Sequence, residues 1–151
     1  QFLKAAQAHA FCDVGDTSKR SDAQNREESL RHYLSREDQL QYKFLFSIEG
    51  NDVASNLKWA MNSNSVVMMT QPKFETWFCE SQLLPGVHYV PIKDDFSDLD
   101  EQFEYYSSNP KACIEISENA REYTSQFLNQ ERQYALGGLA IDRYYDLVSG
   151  K

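Results

Sequence analysis

From residue 42 onward the apolar and polar positions change period repeatedly, and each change predicts an element. In Tyr42-Lys43-Phe44-Leu45-Phe46-Ser47-Ile48, the side chains of Tyr42, Phe44, Phe46 and Ile48 alternate on one face while Leu45 thickens the other, which predicts an inner strand. Glu49 to Asp52 is a turn, and Asn51 or Asp52 caps a helix running through Ala54, Leu57, Lys58, Trp59 and Met61. Ser65-Val66-Val67-Met68-Met69 is a near-continuous apolar run, the pattern of a parallel strand covered on both faces. Phe74 to Glu80 reads as a short helix. Gly86 precedes a third strand, Val87 to Ile92, whose Pro91 cannot donate to a ladder and belongs at the strand's end or at a bulge. Ser97 with Asp100 resembles a capping box, and Asn109-Pro110 opens a helix carrying Cys113, Ile116, Ala120, Tyr123 and Phe127 at helical spacing. A last helix, from about Asn129 to Val148, carries Leu136, Leu139, Ala140, Tyr144 and Leu147, and Gly137-Gly138 allows a bend within it.

Upstream the pattern is polar. Phe2 to Phe11 suits a short alanine-rich helix, Asp13 to Glu27 reads as a loop, and Ser35 with Asp38 forms a capping pair before the first strand. The expected division is therefore a polar, partly flexible lead-in over 1–40 and one folded domain with C-terminal helices over 41–151. Strands separated by helices, with connections too long for hairpins, imply right-handed crossovers. The fold class is α/β, a Rossmann-like three-layer domain with a small parallel sheet. Ligands of such sheets bind beyond the carboxyl ends of the strands, here Glu49 to Asn56, Thr70 to Glu75 and Lys93 to Phe96.

Composition narrows the function classes. The 151 residues are 41% hydrophobic and 25% charged, with 6 Gly and 4 Pro, which excludes collagenous, low-complexity and wholly disordered classes. A net charge of −8 without any Lys/Arg cluster argues against a general nucleic-acid or anionic-membrane surface. Cys12, Cys79 and Cys113 are odd in number and lack CxxC spacing, so reduced thiols are expected rather than a disulfide framework or a zinc knuckle. The longest uncharged stretch, Trp59 to Pro72, is interrupted by polar residues and cannot serve as a membrane span, and no signal-peptide pattern opens the chain. A first residue of Gln rather than Met gives the expectation of a piece of a longer protein.

The most informative chemistry lies in Ile48 to Trp59. A glycine at a strand's end lets backbone approach a ligand, and free N–H groups at a following helix start favour an anion such as a diphosphate. Ser55 and Asn56 offer neutral donors and Lys58 a point charge. The same residues also suit an ordinary strand-to-helix turn with a solvated Lys58, since neither GxGxxG nor a Walker lysine is present. Glu75 suits ribose hydroxyls, or merely the first turn of a helix. His88 reads as a partly buried strand histidine with no carboxylate or nucleophile fixed beside it. The acidic run Asp94 to Glu104 lacks the glycine and spacing of a calcium loop and reads as a solvated helix entrance.

The ordered motifs Tyr42 to Trp59, Ser65-Val66-Val67, Lys73-Phe74-Glu75-Thr76-Trp77-Phe78, Val87 to Asp95 and Ser97-Asp98-Leu99 resemble glycosyltransferase family 90, over roughly residues 40 to 148. That family includes capsule-associated proteins, bacterial lipopolysaccharide-modifying transferases and animal protein O-glucosyltransferases. The resemblance implies the C-terminal, donor-binding half of a two-domain, GT-B type glycosyltransferase. It also implies transfer of a hexose or pentose, with inversion, from a nucleoside diphosphate sugar, most simply a UDP-sugar, with no cofactor and no required metal. The donor-binding residues it implies are Gly50, Asn51, Asp52, Val53, Ala54, Ser55, Asn56, Lys58 and Glu75. No catalytic residue is assigned, because the family's carboxylate base belongs to the other half, which is also where a glycan or lipopolysaccharide acceptor would bind. Many members carry arginine where Asn56 stands, which passes the charge on the departing diphosphate to Lys58 or to a residue outside the chain. The Gly50-Asn51-Asp52 form resembles bacterial members, giving a cytoplasmic expectation, at the inner face of the inner membrane; a eukaryotic member would sit in the secretory lumen. A non-catalytic Rossmann-like interaction domain that has lost donor binding is the alternative.

Overall fold

The computed structural model describes residues 2–15 and 34–150. Most of the loop expected over Asp13 to Glu27 lies outside them. The first described segment holds helix α1 (Phe2–Gln7), and the second opens with the four-residue helix α2 (Arg36–Gln39). Ser35 caps α2 as expected: its Oγ accepts the Asp38 N–H at 3.1 Å, and the Asp38 carboxylate accepts the Ser35 N–H at 3.2 Å.

Strand β1 (Phe44–Phe46) is followed by the short helix α3 (Leu57–Met61), then β2 (Val66–Met69), a 3₁₀ turn over Glu80–Gln82, and β3 (Val90–Pro91). The three strands form one sheet in the order β1-β2-β3, both pairs parallel, with Phe44 opposite Val66 and Met68 opposite Val90. Pro91 stands at the end of β3, where its missing N–H costs the ladder least. Helices α4 (Leu99–Ser108), α5 (Pro110–Ser125) and α6 (Gln130–Ser149) complete the chain.

The period-2 alternation separates two cores. Leu45, Val67 and Met69 point to one face, where Leu57, Ala60 and Met61 of α3 pack with Phe78 and Tyr89. Val66, Met68 and Val90 point to the other, against Ala6 of α1 and Leu99 and Tyr106 of α4. Every residue of β2 is buried, so the unbroken apolar run follows from cover on both faces. Helix α5 serves both cores, giving Ala120 to the first and Cys113 and Ile116 to the second. Burying a side chain the size of Met68, which has no exposed surface, contributes about 1.5–3 kcal/mol.

Several expected elements differ, the first helix and first strand by being shorter than Phe2 to Phe11 and Tyr42 to Ile48. The helix anticipated from Asn51 starts only at Leu57, since residues 50–56 form a turn-rich loop. Phe74 to Glu80 is not helical: residues 71–76 are irregular and a 3₁₀ turn begins at Glu80. The third strand is shorter than Val87 to Ile92 because the chain turns at Gly86, whose φ of 74° favours glycine and whose N–H donates to the Tyr89 carbonyl. The last helix runs through Gly137-Gly138 without interruption and buries none of its residues.

Candidate functional site

The loops that leave β1 and β2 meet beyond the carboxyl ends of the strands, where open parallel sheets bind ligands. Glu49 joins them: its Oε2 accepts the Lys73 N–H at 2.9 Å and its Oε1 the Phe74 N–H at 3.3 Å. A charged acceptor on two backbone donors makes a strong joint between segments that no ladder connects.

In the first loop, the Gly50 N–H donates to the Asp52 carbonyl and the Val53 N–H to Asp52 Oδ1. The N–H groups of Asn51, Asp52, Ala54 and Ser55 meet no acceptor among the described residues. No atom outside Gly50 and its chain neighbours lies within 4 Å of where a Cβ would stand on it. Of these four residues Asn51, Asp52 and Ser55 are exposed and Ala54 is buried, and unpaired backbone donors on exposed residues can receive an acceptor-rich group such as a phosphate. These donors belong to the loop itself, which corrects the expectation of a helix N-terminus, since α3 has only five residues.

Asn56 anchors the end of the loop. Its Nδ2 donates to the Phe46 carbonyl at 2.7 Å and its Oδ1 accepts from Ser47 Oγ at 3.1 Å, which ties the start of α3 to the end of β1. Lys58 is engaged in another way than as a ready charge for a diphosphate. Its Nζ donates to Glu80 Oε1 at 2.7 Å and lies over the Phe78 and Trp77 rings, at 5.6 and 6.0 Å from their centroids. A phosphate would have to share that ammonium with Glu80, through the N–H donors the pair leaves over. Glu80 has no exposed surface and also accepts the Thr76 N–H and the Thr76 hydroxyl, each at 2.7 Å. Burial pushes its carboxyl up, but the bonds from Lys58 and Thr76 together outweigh this and hold it below the usual glutamate value.

Glu75, the ribose candidate, lies in the irregular segment rather than in a helix's first turn. Its carboxylate is exposed and accepts the Ser81 N–H at 2.9 Å and the Ser81 hydroxyl at 3.1 Å. Nothing local in the sequence marks Glu49 or Glu80 as anchors: the partners of Glu49 lie about 24 positions on, and Glu80 joins the nearby Thr76 to Lys58, 22 positions back. The acid immediately before Gly50 was the available hint.

His88 sits in the turn before β3, where its Nδ1 accepts the Leu84 N–H at 2.9 Å, and burial lowers its pKa. An imidazole holding a backbone N–H in this way fixes a turn. Cys12, Cys79 and Cys113 are all free thiols, and burial, followed by the Asp100 charge, raises Cys12 to about 11. Among the described residues no group of three or more His, Cys, Asp and Glu side chains is placed to hold a metal ion. Among them, too, no helix is long and apolar enough to cross a membrane.

Comparison with known proteins follows the same residues. The family profile Glycosyl transferase family 90 matches residues 4–150. O-glucosyltransferase LpsA of Dichelobacter nodosus is 42% identical over 148 residues, covering 98% of this chain and 46% of that protein. Protein O-glucosyltransferase 1 of Homo sapiens is 28% identical over 94 residues, covering 62% of this chain and 24% of that protein. O-glucosyltransferase rumi of Drosophila pseudoobscura pseudoobscura is 30% identical over 100 residues, covering 65% and 24%. The chain thus spans less than half the length of these relatives. A match over nearly the whole chain, on an α/β sheet whose open loops stand at its carboxyl edge, leads to one assignment: the chain belongs to glycosyl transferase family 90.

Proposed function

We propose that this chain is the donor-binding part of an inverting, GT-B type glycosyltransferase that modifies lipopolysaccharide, capsule or a related glycan. The observation that carries the reading is the loop Gly50–Asn56, where among the described residues the N–H groups of the exposed Asn51, Asp52 and Ser55 meet no acceptor, next to a Gly50 with open space around it, at the carboxyl edge of the sheet. In this reading those donors receive the diphosphate of a nucleoside diphosphate sugar, UDP being the nucleotide to try first. Glu75 exchanges one of its Ser81 bonds for a ribose hydroxyl. The names of these three relatives, each an O-glucosyltransferase, support transfer of a sugar to an acceptor oxygen.

The chemistry follows from the charges. An acceptor hydroxyl attacks the anomeric carbon, its proton passes to a base outside this chain, and the C–O bond to the diphosphate breaks with inversion. Negative charge grows on the leaving oxygens, and backbone donors fixed in advance stabilise it at no reorganisation cost. On a chain of charge −8, neutral N–H groups serve this purpose without a cationic surface. No metal is required in this scheme. The acceptor binds to the remainder of the protein, and the reaction takes place in the cytoplasm, at the inner face of the bacterial inner membrane.

Calorimetric titration of UDP tests the proposal. Saturable binding is expected, weakened by Asn51→Pro, which removes one of the backbone donors, and by Glu75→Ala; no binding, or binding indifferent to both changes, would refute it. The engagement of Lys58 by Glu80 favours one second reading, an interaction domain on the same scaffold that has lost its donor. A full-length protein that consumes no nucleotide sugar in the presence of a cell-envelope extract would select that reading.

A further inference from the structure

The segment Lys73–Thr76 follows β2 without forming helix or strand, yet its backbone donors are held from both sides. Glu49 accepts the N–H groups of Lys73 and Phe74, and the buried Glu80 accepts that of Thr76. Between these anchors stands Glu75. The two anchors differ in kind. Glu80 belongs to the hydrophobic face of the sheet with Lys58, and its loss would disturb packing. Glu49 is half-buried at the mouth of the site, directly before Gly50, and touches no core residue through its hydrogen bonds. What it does is fix the second loop to the root of the first.

We propose that Glu49 is a positioning residue of the donor site: its carboxylate clasps Lys73 and Phe74, so that Glu75 and the Gly50–Asn56 loop keep the spacing that one bound nucleotide must bridge. This rests on the donor-site reading above. A ligand that contacts both loops binds tightly only when their separation is set beforehand, because otherwise binding must order them. The two carboxylate oxygens are each matched to one N–H. An amide in their place keeps one acceptor and turns an NH₂ donor toward the other N–H. Glu49→Gln therefore breaks half the clasp at constant size.

The experiment uses the full-length enzyme and its Glu49→Gln, Glu49→Asp and Glu75→Ala variants, with UDP titrated by calorimetry and donor and acceptor KM measured separately. Glu49→Gln is expected to weaken UDP about tenfold, one hydrogen bond to a charged group, and to raise the donor KM alike. Acceptor KM and Tm should stay at the wild-type values, and Glu49→Asp, which keeps both acceptor oxygens, should recover part of the loss. A merely structural role would instead lower Tm and raise both KM values together, which overturns the inference. Unchanged UDP affinity in Glu49→Gln, alongside a loss in Glu75→Ala, overturns the positioning role and leaves the donor site standing. Absence of UDP binding in the wild-type enzyme overturns both.

Discussion

Removing the ammonium group of Lys58 is the sharpest test of how this site is built. Lys58→Ala deletes the cation at 2.7 Å from Glu80 Oε1 while leaving a carboxylate with no exposed surface. Breaking a buried pair from one side costs about 3–5 kcal/mol, because the surviving charge is uncompensated. Two features place this case at the low end. The Lys58 side chain is 22% exposed, so water reaches the vacated position, and Thr76 still donates its N–H and hydroxyl to Glu80. The expected loss is about 3 kcal/mol, which for a chain of this length lowers Tm by roughly 6–12 °C. Urea unfolding followed by tryptophan fluorescence reads it as a fall in midpoint with an unchanged slope. Lys58→Met combined with Glu80→Gln removes both charges and keeps an acceptor for Thr76; it should return to within about 1 kcal/mol of wild type. A loss below about 1 kcal/mol in Lys58→Ala would refute the reasoning. So would intact stability with abolished UDP binding, since Lys58 would then serve the ligand and not the fold.

Other predictions bear on neighbouring features. Tyr123→Phe removes the hydroxyl that donates to the Phe78 and Cys79 carbonyls at 2.6 and 2.8 Å, and should cost about 1–2 kcal/mol in the same urea assay. Burial, reinforced by the charges of Cys79, Glu80 and Glu75, raises this phenol to about 12, so Tyr123 should be among the last tyrosines to ionise in an ultraviolet titration. Gly86→Ala meets no steric obstacle but must hold a φ of 74°, and should cost about 1–2 kcal/mol. His88 has its folded pKa lowered, so the folded state binds fewer protons than the unfolded one; its contribution is complete above about 6.5 and is lost as pH falls below that. Glu80, also lowered, holds its contribution above about 4.3 and loses it in more acidic solution. Acid unfolding should therefore show a first decline near pH 6, absent in His88→Asn, and a second below pH 4, as checked by circular dichroism.

The sheet was legible because its alternation has one cause. Phe44 and Phe46 face one core and Leu45 the other, and Val66 to Met69 are apolar throughout because both sides are covered. Asn109-Pro110 and Asn129 stand where the sequence starts α5 and α6, with Pro110 as the first helical residue and Asn129 accepting the Arg132 N–H, although the Asn109 side chain makes no cap bond. The segment Phe74 to Glu80 misled for a physical reason. Its Phe74, Trp77 and Phe78 have helical spacing, but the N–H groups of Lys73, Phe74, Thr76 and Ser81 bond to carboxylates of Glu49, Glu80 and Glu75. Two of those anchors are distant in sequence or hidden in the core, so tertiary acceptors override local preference where no local pattern announces them. The same holds for Lys58, whose partner lies 22 positions away. Gly50 to Asn56 were recognisable as the segment at the sheet's carboxyl edge, but residues 53–56 read as the start of a helix and not as a loop whose donors are its own backbone.

The register of the sheet carries a kinetic consequence. Phe44 pairs with Val66 and Met68 with Val90, so among the described residues every ladder contact joins residues about 22 positions apart and no hairpin is there to form first. Neither pairing can begin until the intervening chain has closed a loop, and β2 takes part in both. The apolar run Val66–Met69 is thus the common member of every early productive collision, and while it waits it is an uncharged, β-prone stretch open to other chains. Slow refolding, with losses to aggregation that grow with protein concentration, is what this arrangement implies, and a polar substitution confined to β2 would reduce the losses only by removing the strand on which the sheet is assembled.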